Sequence, residues 1–333
     1  DVTACNFSPN IIMNGKEPVE FSAFHLSIYE DSTCVDYPSI SAVLEQYYAK
    51  KNEYTRIRQK SVDLRKIVSN TLERERKKYE LQKKQLKDTE KREKYKVYGE
   101  LLTTYGYQAK EGDKSLEAMN YYTNEMIKIP LDETLSPLEN AKKYFNKYAK
   151  LKRTYQALTE LTTETETEIE HLESIATSLD IATQEDDLSE IREELVAYGY
   201  LRKKNGEKKK KSKSKPLHYV SSDGYHMYVG KNNYQNDELT FKFAVGNDWW
   251  FHAKGMPGSH VIVKTNGDEL PDATFEEAAK LAAYYSKGRE NPKVEIDYLE
   301  KKNVKKPSGA APGFVIYYTN YSMPIEPDIT GIT

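Results

Sequence analysis

The feature that most constrains this chain is a heptad pattern of apolar and weakly polar residues between positions 144 and 179. The spacing alternates four and three residues without a break, which is typical of a coiled-coil seam. The seam residues are Tyr144, Tyr148, Leu151, Tyr155, Leu158, Thr162, Thr165, Ile169, Leu172, Ala176 and Leu179. A helix from Pro137 to Leu179 would be about 65 Å long, so it needs a partner helix to bury this seam.

The partner helix is predicted upstream, because no Gly or Pro occurs from Ser39 to Val97. Apolar residues recur there at steps of four or seven: Ile57, Leu64, Val68, Leu72, Tyr79 and Leu86. Residues 41–98 carry 18 Lys and Arg against 9 Asp and Glu, whereas residues 158–195 carry 13 acidic residues and one Arg. Opposite charges favour an antiparallel hairpin within one chain, with pairing between chains as the alternative.

The connection between the two helices is predicted to be a small β-containing tip. Gly99 is expected to interrupt the first helix, and residues 115–122 and 126–131 are typical of a β-hairpin. Ser136, Pro137 and Glu139 have the spacing of a capping box with Pro at the first helical position, which indicates a helix start.

The predicted fold class is therefore α+β: a long antiparallel helical coiled-coil hairpin with a small β-containing tip, followed by a compact α+β C-terminal domain. The predicted segments are 1–37 as a strand pair, 38–98 as the first coiled-coil helix, 99–136 as the tip, 137–199 as the second helix with a short helix after it, 200–215 as a basic linker, 216–325 as the C-terminal domain and 326–333 as a tail.

Cations are concentrated near the tip, although the 333 residues have a net charge of only −2. Such an array attracts phosphate backbones through counterion release, so we predict that it contacts nucleic acid. Simple solvation of an exposed coiled coil is the alternative. The predicted contacts are Lys91, Arg92, Lys142, Lys143, Lys147 and Lys150.

Composition limits the other classes of function. No run of 18 apolar residues is present, so we expect no membrane insertion, and two cysteines form no disulfide framework or metal set. No signal peptide is visible, which favours a cytoplasmic protein, but the chain begins at Asp1 and is expected to be a fragment.

Asp248, His252 and His260 in the C-terminal domain could form part of a metal or nuclease site, but a fourth group is missing. We therefore predict no metal, no cofactor and no catalysis. Trp249, Trp250 and Phe251 are interpreted as core, except that strand alternation must expose one of the two tryptophans. Alternation places Asp248, Trp250 and His252 on one face, where an exposed Trp could stack on a nucleotide. The turn at Gly258 exposes backbone N–H groups that could bind phosphate.

Several sequence blocks of the C-terminal domain resemble the RNA-binding domain of the NFACT family. They are Gly230-Lys-Asn-Asn-Tyr-Gln-Asn-Asp237, Asp248-Trp-Trp-Phe-His252, Pro257-Gly-Ser-His260, Glu277-Ala-Ala-Lys-Leu-Ala-Ala-Tyr-Tyr-Ser286 and Val304-Lys-Lys-Pro-Ser-Gly309. Residues 129–145 resemble the middle module of the same proteins, and 1–37 resemble the end of their N-terminal domain.

The resemblance implies a factor of ribosome-associated quality control. Such a factor binds the large ribosomal subunit with its stalled peptidyl-tRNA, recruits tRNA and supports alanine tailing of the nascent chain. Many family members carry the name fibronectin-binding protein, so a cell-surface adhesin that binds fibronectin is the alternative. Four polar residues are either turn caps or RNA contacts: Asn232, Asn233, Asn236 and Asp237. The predicted RNA-binding residues are Asn232, Asn236, Asp248, Trp250, His252, Lys254, Gly258, Ser259, His260, Lys305 and Lys306.

Overall fold

The computed structural model describes residues 7–14, 17–29, 33–110, 112–203 and 214–332. The predicted basic linker 200–215 lies mostly outside these ranges. The chain divides into two compact units, one of residues 1–71 and 170–333 and the other of residues 72–169. Each unit is described by itself.

The N-terminal segment forms three antiparallel strands, not the predicted pair. They are β1 (Asn10–Asn14), β2 (Glu17–Ser22) and β3 (Thr33–Asp36), in the order β2-β1-β3. The sequence pattern predicts the second strand over residues 21–29, but β2 ends at Ser22 and Ser27–Tyr29 forms a turn of 3-10 helix. Ile11 of β1 packs with Val43 and Tyr47 of the following helix, so this sheet belongs to the same core as the helix start.

The helices of the predicted hairpin are α1 (Ile40–Asp88), α2 (Arg92–Tyr105), α3 (Pro137–Ile181) and α4 (Glu185–Ala197). Ser39 caps α1, since its hydroxyl accepts a hydrogen bond of 3.2 Å from the Ala42 amide. The capping box before α3 is confirmed as well: the Ser136 amide donates to Glu139 at 2.9 Å.

Contacts within residues 72–169 show that the helices pair antiparallel inside one chain. The Tyr79 hydroxyl donates to Glu166 at 2.8 Å, and the Arg92 guanidinium lies 3.9 Å from the Tyr155 ring centre. Farther along, the Tyr98 and Tyr144 rings lie 5.3 Å apart. As the residue number on the first helical arm rises from 79 to 98, that of its partner on α3 falls from 166 to 144. The helices therefore run antiparallel within one chain, and the predicted intramolecular hairpin is confirmed. In the other unit, Arg65 forms an ion pair with Asp180.

The prediction that Gly99 interrupts the first helix is wrong. Gly99 lies buried inside α2, and a Cβ there would be 2.8 Å from a ring carbon of Phe145 on α3. This residue is glycine because the two helices approach closely, not because the helix ends. The predicted tip hairpin is confirmed as β4 (Ser115–Asn120) and β5 (Glu125–Pro130).

The C-terminal domain is a six-stranded antiparallel sheet in the order β11-β10-β8-β9-β7-β6. Its helices are α5 (Asn233–Glu238), which continues into a π-helical turn at Leu239–Phe243, and α6 (Asp272–Tyr284). Alternate residues of the strands pack against α6 and form the main core. The strands are β6 (Leu217–Val220), β7 (His226–Val229), β8 (Trp249–Ala253), β9 (Val261–Val263), β10 (Val294–Glu300) and β11 (Tyr321–Ile325).

The sequence of this domain also predicts a strand over residues 314–318 and a capping box from Thr274 to Glu277 that opens a helix. Both predictions are wrong. The last strand is β11 rather than residues 314–318, where only Ile316 forms a single bridge to Lys305. Thr274 does not cap α6, which begins after Pro271; instead the Thr274 side chain is buried and its hydroxyl donates to Asp223 at 2.8 Å.

Candidate nucleic-acid interface

Strand β8 has two faces, and the predicted site lies on the face opposite α6. Phe251 and Ala253 belong to the core beneath α6. Trp250 and His252 point the other way, and their rings stack at 5.5 Å. The loop before β9 folds back onto this face, because the His260 ring lies 5.0 Å from Trp250 and 5.3 Å from His252.

This cluster is internal, however. Trp250 is completely buried, so the prediction that it stacks on RNA from an exposed position is wrong. A second layer covers it, formed by the π-helical turn and by residues around Val304 and Tyr317. His260 is also buried, and its Nδ1 lies 2.7 Å from the Thr240 hydroxyl.

Burial also removes the charge of the two histidines. It lowers the pKa of His252 to about 4, although the Gly258 backbone and Asp297 act in the opposite direction. Burial and the neighbouring His252 lower the pKa of His260 well below its ordinary value. Both rings are therefore neutral near pH 7, and neither supplies a cation for a phosphate.

Asp248 and Ser259 hold the local backbone. The buried Asp248 carboxylate accepts hydrogen bonds from the amides of Val245 at 2.8 Å and Thr265 at 3.2 Å, and it pairs with Lys264. Ser259 donates to the Gly230 carbonyl at 2.5 Å. These contacts close turns, so neither side chain is presented to a ligand.

The Gly230–Asp237 block is directed towards α4 of the same unit. Lys231 forms a buried ion pair with Asp187 at 2.5 Å. Asn232 caps α5 through its oxygen, 2.9 Å from the Gln235 amide, while its Nδ2 donates to Glu190 at 2.6 Å. The structure thus supports the capping role of Asn232 rather than a direct RNA contact.

Two further side chains of this block are internal. Asn233 donates to the buried Glu194 at 2.8 Å, and the His260 amide donates to Asn236 at 3.0 Å. A Cβ at Gly230 would lie 2.1 Å from the Asn236 oxygen, so only glycine fits there.

Sequence reasoning missed Lys231 and the acidic partners of Lys231 and Asn233. A signal was available, because Asp187, Glu190 and Glu194 have the i, i+3 and i+7 spacing of one helix face.

Five lysines lie around the π-helical turn, and we call them the basic ridge. Lys242, Lys302, Lys305 and Lys306 are exposed, and Lys301 is half-buried. Lys301 and Lys306 lie 6.0 and 5.9 Å from the Phe241 ring centre, and Lys306 pairs with Asp237 at 2.5 Å. The predicted residues Lys305 and Lys306 are therefore at the surface. Lys254 is exposed too, in an ion pair with Glu295 at 2.8 Å.

The predicted tip cations divide into two groups. Lys91, Lys142, Lys147 and Lys150 are exposed. Lys143 is exposed as well but pairs with Asp132 at 2.6 Å, and this hydrogen bond is the main cause that lowers the pKa of Asp132 to about 2. Arg92 is partly buried against the Tyr155 ring, so its side chain is part of the helix packing.

Within the described ranges, no three His, Cys, Asp or Glu side chains are grouped so that they could hold a metal ion. The same part of the chain contains no helix that is both long and apolar enough to cross a membrane.

The described chain thus combines a helical hairpin with a sheet domain that carries a ridge of lysines at its surface. Residues 1–214 match the model of the NFACT N-terminal and middle domains, and residues 215–318 match that of the NFACT protein RNA binding domain. The chain therefore belongs to the NFACT family.

Two curated relatives are each called Rqc2 homolog RqcH. The protein of Streptococcus pneumoniae serotype 2 is 43% identical over 88% of this chain and 53% of its own length. The protein of Bacillus subtilis is 39% identical over 98% of this chain and 58% of its own length. The chain thus spans about half the length of these relatives.

A solved structure is also similar: the C-terminal part of the fibronectin/fibrinogen-binding protein from Streptococcus suis. It has a TM-score of 0.66 and 38% sequence identity, and the match covers 82% of this chain and 96% of that one.

Proposed function

We propose that this chain is the arm and RNA-binding part of a ribosome-associated quality-control factor. In this role it binds the large ribosomal subunit that carries peptidyl-tRNA, in the cytoplasm, and supports C-terminal alanine tailing of stalled chains without being an enzyme itself. The names of the relatives from S. pneumoniae and B. subtilis and the RNA-binding family model support this proposal.

The observation that carries the proposal is the exposed lysine array on the hairpin. Lys142, Lys147 and Lys150 lie on one helix within nine positions and are all exposed. The whole chain has a net charge of −2, so this array is a local concentration of positive charge. Ribosomal RNA offers the matching phosphates, and their neutralisation releases counterions.

The test is sedimentation of the full chain with purified large subunits over a series of salt concentrations. Replacing Lys142, Lys147 and Lys150 by Glu should weaken binding and reduce the slope of log affinity against log salt by roughly 2, at about 0.7 per single-strand phosphate contact. The matched control replaces the exposed Lys50, Lys66 and Lys293 by Glu, which changes the net charge equally. Equal effects in both variants would contradict a specific role of the tip.

A second candidate is an adhesin, which the name of the similar S. suis structure favours. Binding of the same variants to immobilised fibronectin, with RNase-treated protein, separates the two functions. Polysome-gradient fractionation beside surface labelling of intact cells then shows where the protein resides. Fibronectin binding and surface labelling without subunit binding would replace the proposal by the adhesin.

A further inference from the structure

The sheet face opposite α6 is only partly covered by the second layer. Its centre, with Trp250, Ile262 and Leu299, packs beneath the π-helical turn and Val304. The end formed by β6 and β7 carries aromatic and histidine side chains at or near the surface. We call these side chains, His218, His226, Tyr228 and Phe243, the aromatic strip.

The rings of the strip touch one another in a continuous row. His218 and Tyr228 are direct partners on the antiparallel strands, and their rings stack at 4.8 Å and 29°. His226 lies on one side of His218, with 2.8 Å between the two ring nitrogens. Phe243 lies against Tyr228 at 4.7 Å, and 40% of Phe243 is exposed.

Cations border this row. Lys264 lies 5.0 Å from the Phe243 ring centre, but its ammonium group is paired with Asp248. Lys242 is the neighbour of Phe243 in the π-helical turn and is exposed, and no carboxylate of the described part of the chain forms an ion pair with it. The basic ridge continues from there through Lys301 and Lys306 at Phe241.

Flat rings beside ammonium groups have the chemistry of a site for single-stranded nucleic acid. Each base offers a π face for stacking, and the lysines attract the backbone phosphates. In a double helix the base faces are covered by their neighbours, so only unpaired bases can use such a row. The edge position of β6 leaves the row open on one side of the sheet.

We propose that the aromatic strip is a stacking site for unpaired bases of RNA, with Lys242 holding the backbone beside it. This inference rests on the proposed RNA-binding function and names the part of an RNA that the C-terminal domain takes. It also assigns different roles to two surfaces. The exposed hairpin lysines contact phosphates of any folded RNA, and the aromatic strip binds single-stranded RNA.

The test is fluorescence anisotropy of the full chain with a labelled single-stranded RNA of about 10 nucleotides, a length in the range of such sites. Phe243→Leu keeps an apolar side chain without a π face, and Phe243→Tyr keeps the ring. We expect the Leu variant and His218→Ala to lose affinity on the order of 5- to 100-fold, and the Tyr variant to retain it. Tyr318→Ala, at an 84% exposed aromatic residue outside the strip, is the matched control and should bind normally.

The outcomes separate this site from the general function. Normal affinity in both Phe243→Leu and His218→Ala, with oligonucleotide binding in the unaltered chain, would overturn the strip while RNA binding stands. Equal affinity of the unaltered chain for a duplex of the same length would also overturn it. Absence of binding to both oligonucleotides and large subunits would overturn the proposed function itself. Tryptophan fluorescence of each variant confirms that the domain is folded, since both tryptophans lie in β8.

Discussion

Replacing Asp187 by Asn should strongly destabilise the C-terminal domain. The Asp187 carboxylate accepts hydrogen bonds from the amides of Thr183 at 2.8 Å and Gln184 at 2.9 Å and from the Ser214 hydroxyl. It also pairs with Lys231 at 2.5 Å, and the two side chains are only 1% and 4% exposed. The substitution preserves shape and one acceptor oxygen for the two amides. It replaces the oxygen that faces Ser214 and Lys231 by an NH2 group, and it leaves the Lys231 ammonium buried without its counter-charge.

The magnitude follows from this geometry. Loss of one partner of a buried ion pair typically costs about 3–5 kcal/mol, because the other charge remains desolvated. The Asn oxygen can still cap α4, so the capping contribution of about 1 kcal/mol is not part of this loss. Lys231→Met should cost less, about 1–3 kcal/mol, because the Asp187 carboxylate keeps three other donors. Asp187→Asn with Lys231→Met should therefore be less destabilised than the sum of the single variants.

The assay is urea unfolding followed by tryptophan fluorescence, which reports the C-terminal domain because Trp249 and Trp250 both lie there. The matched control is Glu295→Gln, which breaks an exposed ion pair with Lys254 at the same sheet and should cost below about 1 kcal/mol. A free energy of unfolding for Asp187→Asn within 1 kcal/mol of the parent, or additive effects in the double variant, would refute the reasoning.

The pH dependence of the free energy of unfolding is a further test of the stabilisation by Asp187. Burial alone would raise the pKa of Asp187, but the hydrogen bonds from Lys231, Ser214 and Thr183 outweigh burial and lower it. A lowered folded pKa stabilises the protein above the unfolded pKa near ~3.9, and this stabilisation is lost as pH falls through the folded value. The difference in the free energy of unfolding between the parent and Asp187→Asn should thus be constant at neutral pH and become smaller below about pH 4.

One further substitution and one titration test separate parts of the fold. Gly99→Ala should destabilise the unit of residues 72–169 by about 1–3 kcal/mol, since its Cβ would lie 2.8 Å from Phe145. Adding Phe145→Leu should restore part of the lost stability. Thermal unfolding followed by circular dichroism measures both effects. His252 should titrate near pH 4 by NMR; the unfolded chain takes up this proton near pH ~6.5, so the domain should lose stability as pH falls from there towards 4. A His252 titration near 6.5 in the folded protein would contradict its burial.

The hairpin could be predicted because its signals are local and repeated. The heptad spacing, the opposite charges and the capping box at Ser136 all favour the same arrangement, and the fold class is confirmed. Gly99 was misassigned because glycine occurs both where a helix ends and where two helices pack closely, and the sequence alone does not distinguish these roles. Only the position of Phe145 on the partner helix distinguishes them.

The candidate site was harder to predict because burial of a sheet face depends on distant segments. Strand alternation correctly placed Trp250 and His252 on one face. It carried no information on the layer above them, which comes from Leu239 and from residues more than 50 positions downstream such as Val304. The face that was predicted to be a surface is therefore a second core. The aromatic side chains at or near the surface lie instead on β6, β7 and the π-helical turn.

The block that carries the family resemblance most clearly, Gly230–Asp237, has its polar side chains directed inward. Lys231, Asn232 and Asn233 contact the acidic face of α4, so this block positions the C-terminal domain on that helix. Positioning residues and RNA contacts can both reduce RNA affinity when they are replaced, but only the former also change the stability reported by tryptophan fluorescence. A variant of this block that loses RNA affinity and stability together therefore identifies displacement of the domain. Loss of affinity at constant stability is instead the signature of the aromatic strip and the basic ridge.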